Sequence, residues 1–170
     1  MAKVKTPLSW YGGKFRLANT LIEETMSTPH DTYVEGFGGA GHIIFAKPAS
    51  KVDVYNDIHP GLINFFTVLQ TQPDELQKSL LLTPYSRREF TNCLNWSSAA
   101  TPLEKARQFY VTVRQSYGSL LKTWSYSTSI IRRGVWRLQY QNGPQTSKLI
   151  YRRLYLDLIR YTLKVLILQI

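Results

Sequence analysis

The stretch YVEGFGGAGHIIF, residues 33–45, decides how this chain folds. Gly36, Gly38 and Gly41 stand at the G-x-G-x-x-G spacing, behind the short β-prone run DTYVE and ahead of Gly41–Ala46, which reads as the start of a helix. Glycine at a strand-to-helix turn tolerates positive φ and lets the backbone approach a ligand, and the N-terminus of a following helix favours electron-rich groups. A second strand, KVDVY, alternates with a two-residue period and stops at Asn56-Asp57. IHPGLINFFTVLQ then reads as a helix with Pro60 in its first turn. Strand, glycine loop, helix, strand and helix open a doubly wound parallel sheet, so the fold class is α/β and Rossmann-like.

Asp57 lies 21 residues beyond Gly36, at the tip of the second strand, where a carboxylate accepts hydrogen bonds from a ribose. Loop and acid together point to an adenosine-bearing ligand, against the plainer reading of a tight turn and a helix-capping aspartate. Two ligand classes fit the spacing. A dinucleotide needs a larger crevice, and Glu35 beside the loop repels a pyrophosphate. A cofactor without phosphates, such as S-adenosylmethionine, carries cationic amino and sulfonium groups that an acid attracts. Glu35 tilts the choice towards methyl transfer.

On either side of this unit the pattern is helical. KFRLANTLIEETM, residues 14–26, has apolar residues close to the helical period. From Pro73 to Tyr117 three further segments follow, PDELQKSLLL, SRREFTNCLNW and TPLEKARQFYVTVRQSY, and Thr101 with Glu104 fits a capping box on the third. Helices that interrupt an α/β pattern mark an inserted subdomain.

Charge divides the chain. Residues 1–104 carry nine Lys/Arg against ten Asp/Glu, whereas residues 105–170 carry twelve against a single acid, Asp157. Ten of the 22 Phe, Trp and Tyr also fall in the basic part, where rings can stack on bases while Arg and Lys meet phosphates. That is the electrostatic footprint of a nucleic-acid surface on a near-neutral body. The one cysteine, Cys93, cannot form an internal disulfide and reads as a small buried hydrophobe. MAKVKTPLSW lacks the apolar centre of a signal peptide, and no run approaches the ~18 apolar residues of a membrane span, which gives the expectation of a cytoplasmic protein.

PLSWYGGKFRLA, YVEGFGGAGHIIF, VYNDIHPGLINFF and LEKARQFYVTVRQSYG, in this order over about Pro7–Gly134, resemble the adenine-specific DNA methyltransferases of the Dam type. The resemblance implies that the cofactor is S-adenosylmethionine. Its pocket is formed by Trp10 and Lys14 of the W-x-G-G-K block, by the loop of Glu35, Gly36, Gly38 and Gly41, and by Asp57 on the ribose. The family usually has proline where this chain has Gly36, which loosens the loop. The resemblance also implies that the helical insertion meets double-stranded DNA, with Arg114, Tyr117, Lys122, Trp124, Arg132 and Arg133 as candidates. On this reading residues 1–72 are the N-terminal part of the catalytic domain, 73–134 the DNA-recognition insertion and 135–170 an atypical tail.

One element of the family is missing. Its Asp-Pro-Pro-Tyr loop holds the adenine amino group with side-chain and backbone oxygens while the tyrosine stacks on the extruded base. This chain contains no Pro-Pro pair, and the nearest string, YLDLIRY with Asp157 and Tyr161, reads as structural. The likeness fades from about Val135, and the chain closes on LKVLILQI, an apolar tail with no sheet after it. The expectation is therefore a truncated or frame-shifted methyltransferase of impaired activity, with no catalytic residue assigned and no metal, prone to self-association through an incomplete sheet. The rivals are a non-catalytic DNA-binding protein derived from such an enzyme and a dinucleotide-dependent enzyme.

Overall fold

A computed structural model describes residues 6–81, 83–95, 100–125 and the strand 165–168. Strands β1 (Thr32–Glu35) and β2 (Val52–Asn56) pair in parallel, with Thr32 opposite Val52 and Glu35 opposite Tyr55. Strand β3 (Val165–Leu168) pairs in parallel with the other edge of β2, Asp53 opposite Val165, so the sheet order is β1-β2-β3. The apolar tail, read from the sequence as having no sheet after it, itself supplies a strand. Its unbroken apolar run suits a position beside β2, whose Asp53, Val54 and Tyr55 are all buried.

Parallel neighbours need a crossover, and here it runs over residues 36–51. The helix expected at Gly41–Ala46 is replaced by successive turns, in which the Phe45 N–H donates to Gly41 O and the Lys47 N–H to Ile43 O. Two causes break it: Gly41 sits at φ +70, outside the right-handed helical region, and the Ile44 N–H turns to the Glu35 carboxylate at 3.0 Å. The turns end at Lys47, whose buried ammonium pairs with Asp53 of β2 and lies 4.5 Å from the Tyr33 ring centroid of β1.

Helix α1 (Ala18–Met26) covers the latter part of its expected span, and residues 15–17 form a turn before it. Helices α2 (Pro60–Thr71) and α3 (Pro73–Leu81) follow the sheet unit. In α2 the His59 side chain accepts the Gly61 N–H and Pro60 occupies the first turn, where its missing N–H leaves no bond unmade. Helix α4 (Arg87–Leu94) is capped by Ser86, and α5 (Pro102–Gln115) by Thr101, whose hydroxyl accepts the Glu104 N–H at 3.2 Å. Only that half of the expected capping box forms. The Glu104 carboxylate instead accepts from Arg107 Nε and Nη2 at 2.8 and 2.7 Å, a charge-assisted pair that outcompetes a backbone amide.

The core is one apolar cluster joining the N-terminal segment, the turns after β1, β2 and the helices α2, α3 and α5. Leu8 of the N-terminal segment, Ile44 and Phe45 of the turns, Tyr55 of β2, Phe65 and Phe66 of α2, Leu76 of α3 and Phe109 and Val113 of α5 belong to it. Aromatic contacts tie α2 to its neighbours: Tyr55 meets Phe66 edge-on at 5.0 Å, and Phe65 stacks on Tyr110 at 5.8 Å. Arg107 joins α5 to α4 by donating to Glu89 at 2.7 Å and to Thr83 at 3.1 Å.

Candidate functional site

Parallel strands end side by side, and ligands of α/β sheets bind at their carboxyl ends. Glu35 is the last residue of β1, and Asp57 follows the last residue of β2. A cleft of about 200 Å³ opens there, lined by Trp10, Tyr11, Gly12, Gly13, Lys14, Glu35, Phe37, Gly38, Gly39, Ala40, His42 and Asp57. Of the residues expected at a cofactor, Trp10, Lys14, Glu35, Gly38 and Asp57 come together in it. Gly36 and Gly41 flank the loop without lining the cleft.

Hydrogen bonds to its backbone fix the loop. The Gly38 N–H donates to Asn56 O at 2.9 Å, Asn56 Nδ2 donates to Gly36 O at 3.1 Å, and the Tyr55 hydroxyl donates to Gly39 O at 2.6 Å. Tyr55 also explains the glycine at 38, because a Cβ there would fall inside its ring. Asp57 completes the frame: Oδ2 accepts the Gly39 N–H at 2.8 Å and Oδ1 the His59 N–H at 2.9 Å. Each of its oxygens retains a second lone pair.

The charged groups of the cleft are unequal. Lys14 donates to Phe37 O at 3.1 Å. Glu35 is 7% exposed, and while its Oε2 accepts the Ile44 N–H, Oε1 has no hydrogen-bond partner among the described residues. Burial pushes its carboxyl up to about 7, against the Ile44 amide bond and the more distant Lys14 and Lys47 charges, which favour ionisation. His42, which no sequence pattern singles out, stands in the wall with its ring 5.8 Å from Phe15, and burial, then Lys14, holds it below the usual imidazole range. A second cavity, about 720 Å³, shares Trp10, Gly13 and His42 with the cleft and extends along Leu8, Phe15 and Asn19.

The candidates for DNA lie elsewhere, around the end of α5. Arg114 donates to Ser9 Oγ at 3.2 Å, Tyr117 is 69% exposed, and Lys122 is exposed in the loop that follows. Trp124 closes that loop: it bridges to Ser116, its Nε1 donates to Gln115 Oε1 at 3.4 Å, and the Arg87 guanidinium lies 5.2 Å from its ring centroid. Arg132, Arg133, Asp157 and Tyr161 lie outside the described residues. Among the described residues no group of three or more His, Cys, Asp or Glu is placed to hold a metal, and no helix is long and apolar enough to cross a membrane.

No curated protein matches the chain. A family model described as D12 class N6 adenine-specific DNA methyltransferase matches residues 10–126, from Trp10 of the cleft through the loop that Trp124 closes. That span exceeds half of the chain and contains the glycine loop, both cleft carboxylates and α2 to α5. The chain belongs to the D12 class of N6 adenine-specific DNA methyltransferases.

Proposed function

We propose that the cleft at the ends of β1 and β2 binds S-adenosylmethionine, and that the chain supplies the donor-binding part of adenine-N6 methylation in duplex DNA. One observation carries this reading: Glu35 lines the cleft, and its buried carboxylate oxygen Oε1 has no hydrogen-bond partner among the described residues. Such an oxygen lowers its free energy by meeting a cation, and the amino or sulfonium group of the donor is one. A pyrophosphate would meet two carboxylates and one lysine already bonded to a carbonyl, which disfavours a dinucleotide. The cleft is smaller than the ~300–1,000 Å³ of most ligand cavities, so it holds one end of the donor and leaves the remainder along its rim.

When bound, the donor supplies an electrophilic methyl group. The chain's own residues bind and orient it: Glu35 the cationic end, Asp57 the ribose through its free lone pairs, Trp10 one apolar wall. Arg114, Tyr117 and Lys122, with the basic segment beyond residue 125, engage the duplex. What the 170 residues lack is a Pro-Pro loop to accept the adenine amino protons, so methyl transfer by this chain alone is impaired.

Calorimetry with S-adenosylmethionine and with NAD, beside transfer of labelled methyl to unmethylated duplex, tests this. The expected result is uptake of S-adenosylmethionine in preference to NAD, salt-sensitive DNA binding and little or no transfer. Uptake of NAD alone rejects the reading. DNA binding without any donor uptake favours the non-catalytic alternative.

A further inference from the structure

His59 joins the two walls of the cleft, although it does not line it. Its Nδ1 accepts the Gly61 N–H at 3.1 Å and so caps α2. Its backbone N–H donates to Asp57 Oδ1 at 2.9 Å, and the other oxygen of Asp57 holds Gly39. Its ring meets the Trp10 ring at 76° with centroids 5.1 Å apart, and on another side lies 5.3 Å from Phe109 of α5. Trp10 and Asp57 both line the cleft.

We propose that His59 is a positioning residue of the methyl-donor cleft, whose neutral ring sets Trp10 and Asp57 and whose protonation releases them. The proposal deepens the donor-binding reading and rests on it. An imidazole that accepts through Nδ1 carries its proton on Nε2. A second proton has to sit on Nδ1, pointing at the Gly61 N–H, where it breaks the cap and turns the ring away from Trp10. Burial holds this ring below the usual imidazole range, with the Asp57 charge opposing it. The N-terminal segment presents Trp10 and α5 presents Phe109, neither of which titrates. The cleft is thereby assembled at neutral pH and loosened in mild acid.

The test uses the full chain without donor. Heteronuclear NMR follows the Trp10 Nε1–H, Gly39 N–H and Gly61 N–H while pH falls from about 8 to about 5 across the imidazole range. The three signals are expected to move with the midpoint of the His59 ring carbons. In His59→Asn, whose side-chain oxygen can keep the cap, the shift of Trp10 is expected to vanish, and any shift left at Gly39 belongs to Glu35 or His42. A titrating His59 with a stationary Trp10 signal overturns the proposal, and the native chain alone decides this if the variant does not fold. In calorimetry above neutral pH, His59→Asn is expected to bind S-adenosylmethionine about tenfold more weakly, a loss of roughly 1.4 kcal/mol. Equal affinity overturns positioning. A native chain that binds no donor rejects the donor reading instead, and the donor-free titration still decides the role of His59.

Discussion

Glu35 is where stability and binding pull in opposite directions. Its carboxyl sits at about 7 in the folded chain against an ordinary 4.5, so the fold prefers it protonated. The contribution is fully present below the unfolded value and is lost as pH rises through about 7. Glu35→Gln removes that loss. Chemical denaturation is expected to show the variant more stable than the native chain above pH 7, by up to about 3 kcal/mol, with the difference closing towards pH 4. The same variant is expected to lose donor binding, because an amide offers no charge to a cation. A Glu35→Gln chain that binds the donor as well as the native one would falsify the assignment. The glycines give a sharper contrast. At Gly38 an added Cβ meets the buried Tyr55 ring, whereas at Gly36 it meets nothing. Gly38→Ala is expected to cost about 1–3 kcal/mol in thermal unfolding, the usual range for overpacking. Gly36→Ala is expected to be neutral or to stabilise by about 0.5 kcal/mol, through a less mobile unfolded chain.

Among the elements, the pair α4 and α5 depends most on a single side chain. Arg107 bonds Glu104 on its own helix, Glu89 on α4 and Thr83 ahead of it. The Arg107 and Glu89 side chains are 18% and 17% exposed, so removing the guanidinium strands a mostly buried carboxylate. Arg107→Ala is expected to lower stability by about 2 kcal/mol, read from the urea midpoint at unchanged slope. The same arrangement encloses Cys93, fully buried, with its thiol pushed up to about 12 mainly by burial. Alkylation of Cys93 in the native chain is expected to be slow, and to speed up in Arg107→Ala as α4 loosens, which mass spectrometry can follow.

The whole molecule combines an acid-lined cleft with a basic second half. Twelve Lys/Arg against one Asp beyond residue 104, with one net negative charge before it, give the chain a net charge of +10. Binding that releases counterions weakens steeply with salt, so affinity for unmethylated duplex is expected to fall by about a hundredfold or more between 50 and 200 mM salt if at least four phosphates are neutralised. Fluorescence anisotropy with labelled duplex measures the slope, and a flat profile would remove DNA from the reading. The cleft and the helices are also one body. Phe109 of α5 packs on Trp10 at 5.7 Å and on Phe65 of α2, so the wall of the cleft and the helices α2 and α5 share a core.

Sequence alone determined what depends on near neighbours. The first strand follows from its β-prone run, the second from its two-residue alternation, α2 from its helical pattern with an early proline, and the cap of α5 from Thr101. The glycine spacing and Asp57 marked the end of the sheet where the cleft opens, because a parallel sheet gives strand-end residues a common edge. What depends on distant partners was decided only by the tertiary structure. Glu35 withdrew the Ile44 amide and broke the expected helix; Arg107 took the Glu104 carboxylate from its capping box; β2 gave the apolar tail a place in the sheet. His42 and His59 entered the site through rings packed across 27 to 50 residues of chain, Phe15 against His42 and His59 against Phe109. Periodicity carries no record of such contacts, because they are set by where whole elements pack and not by the order of residues within any one of them.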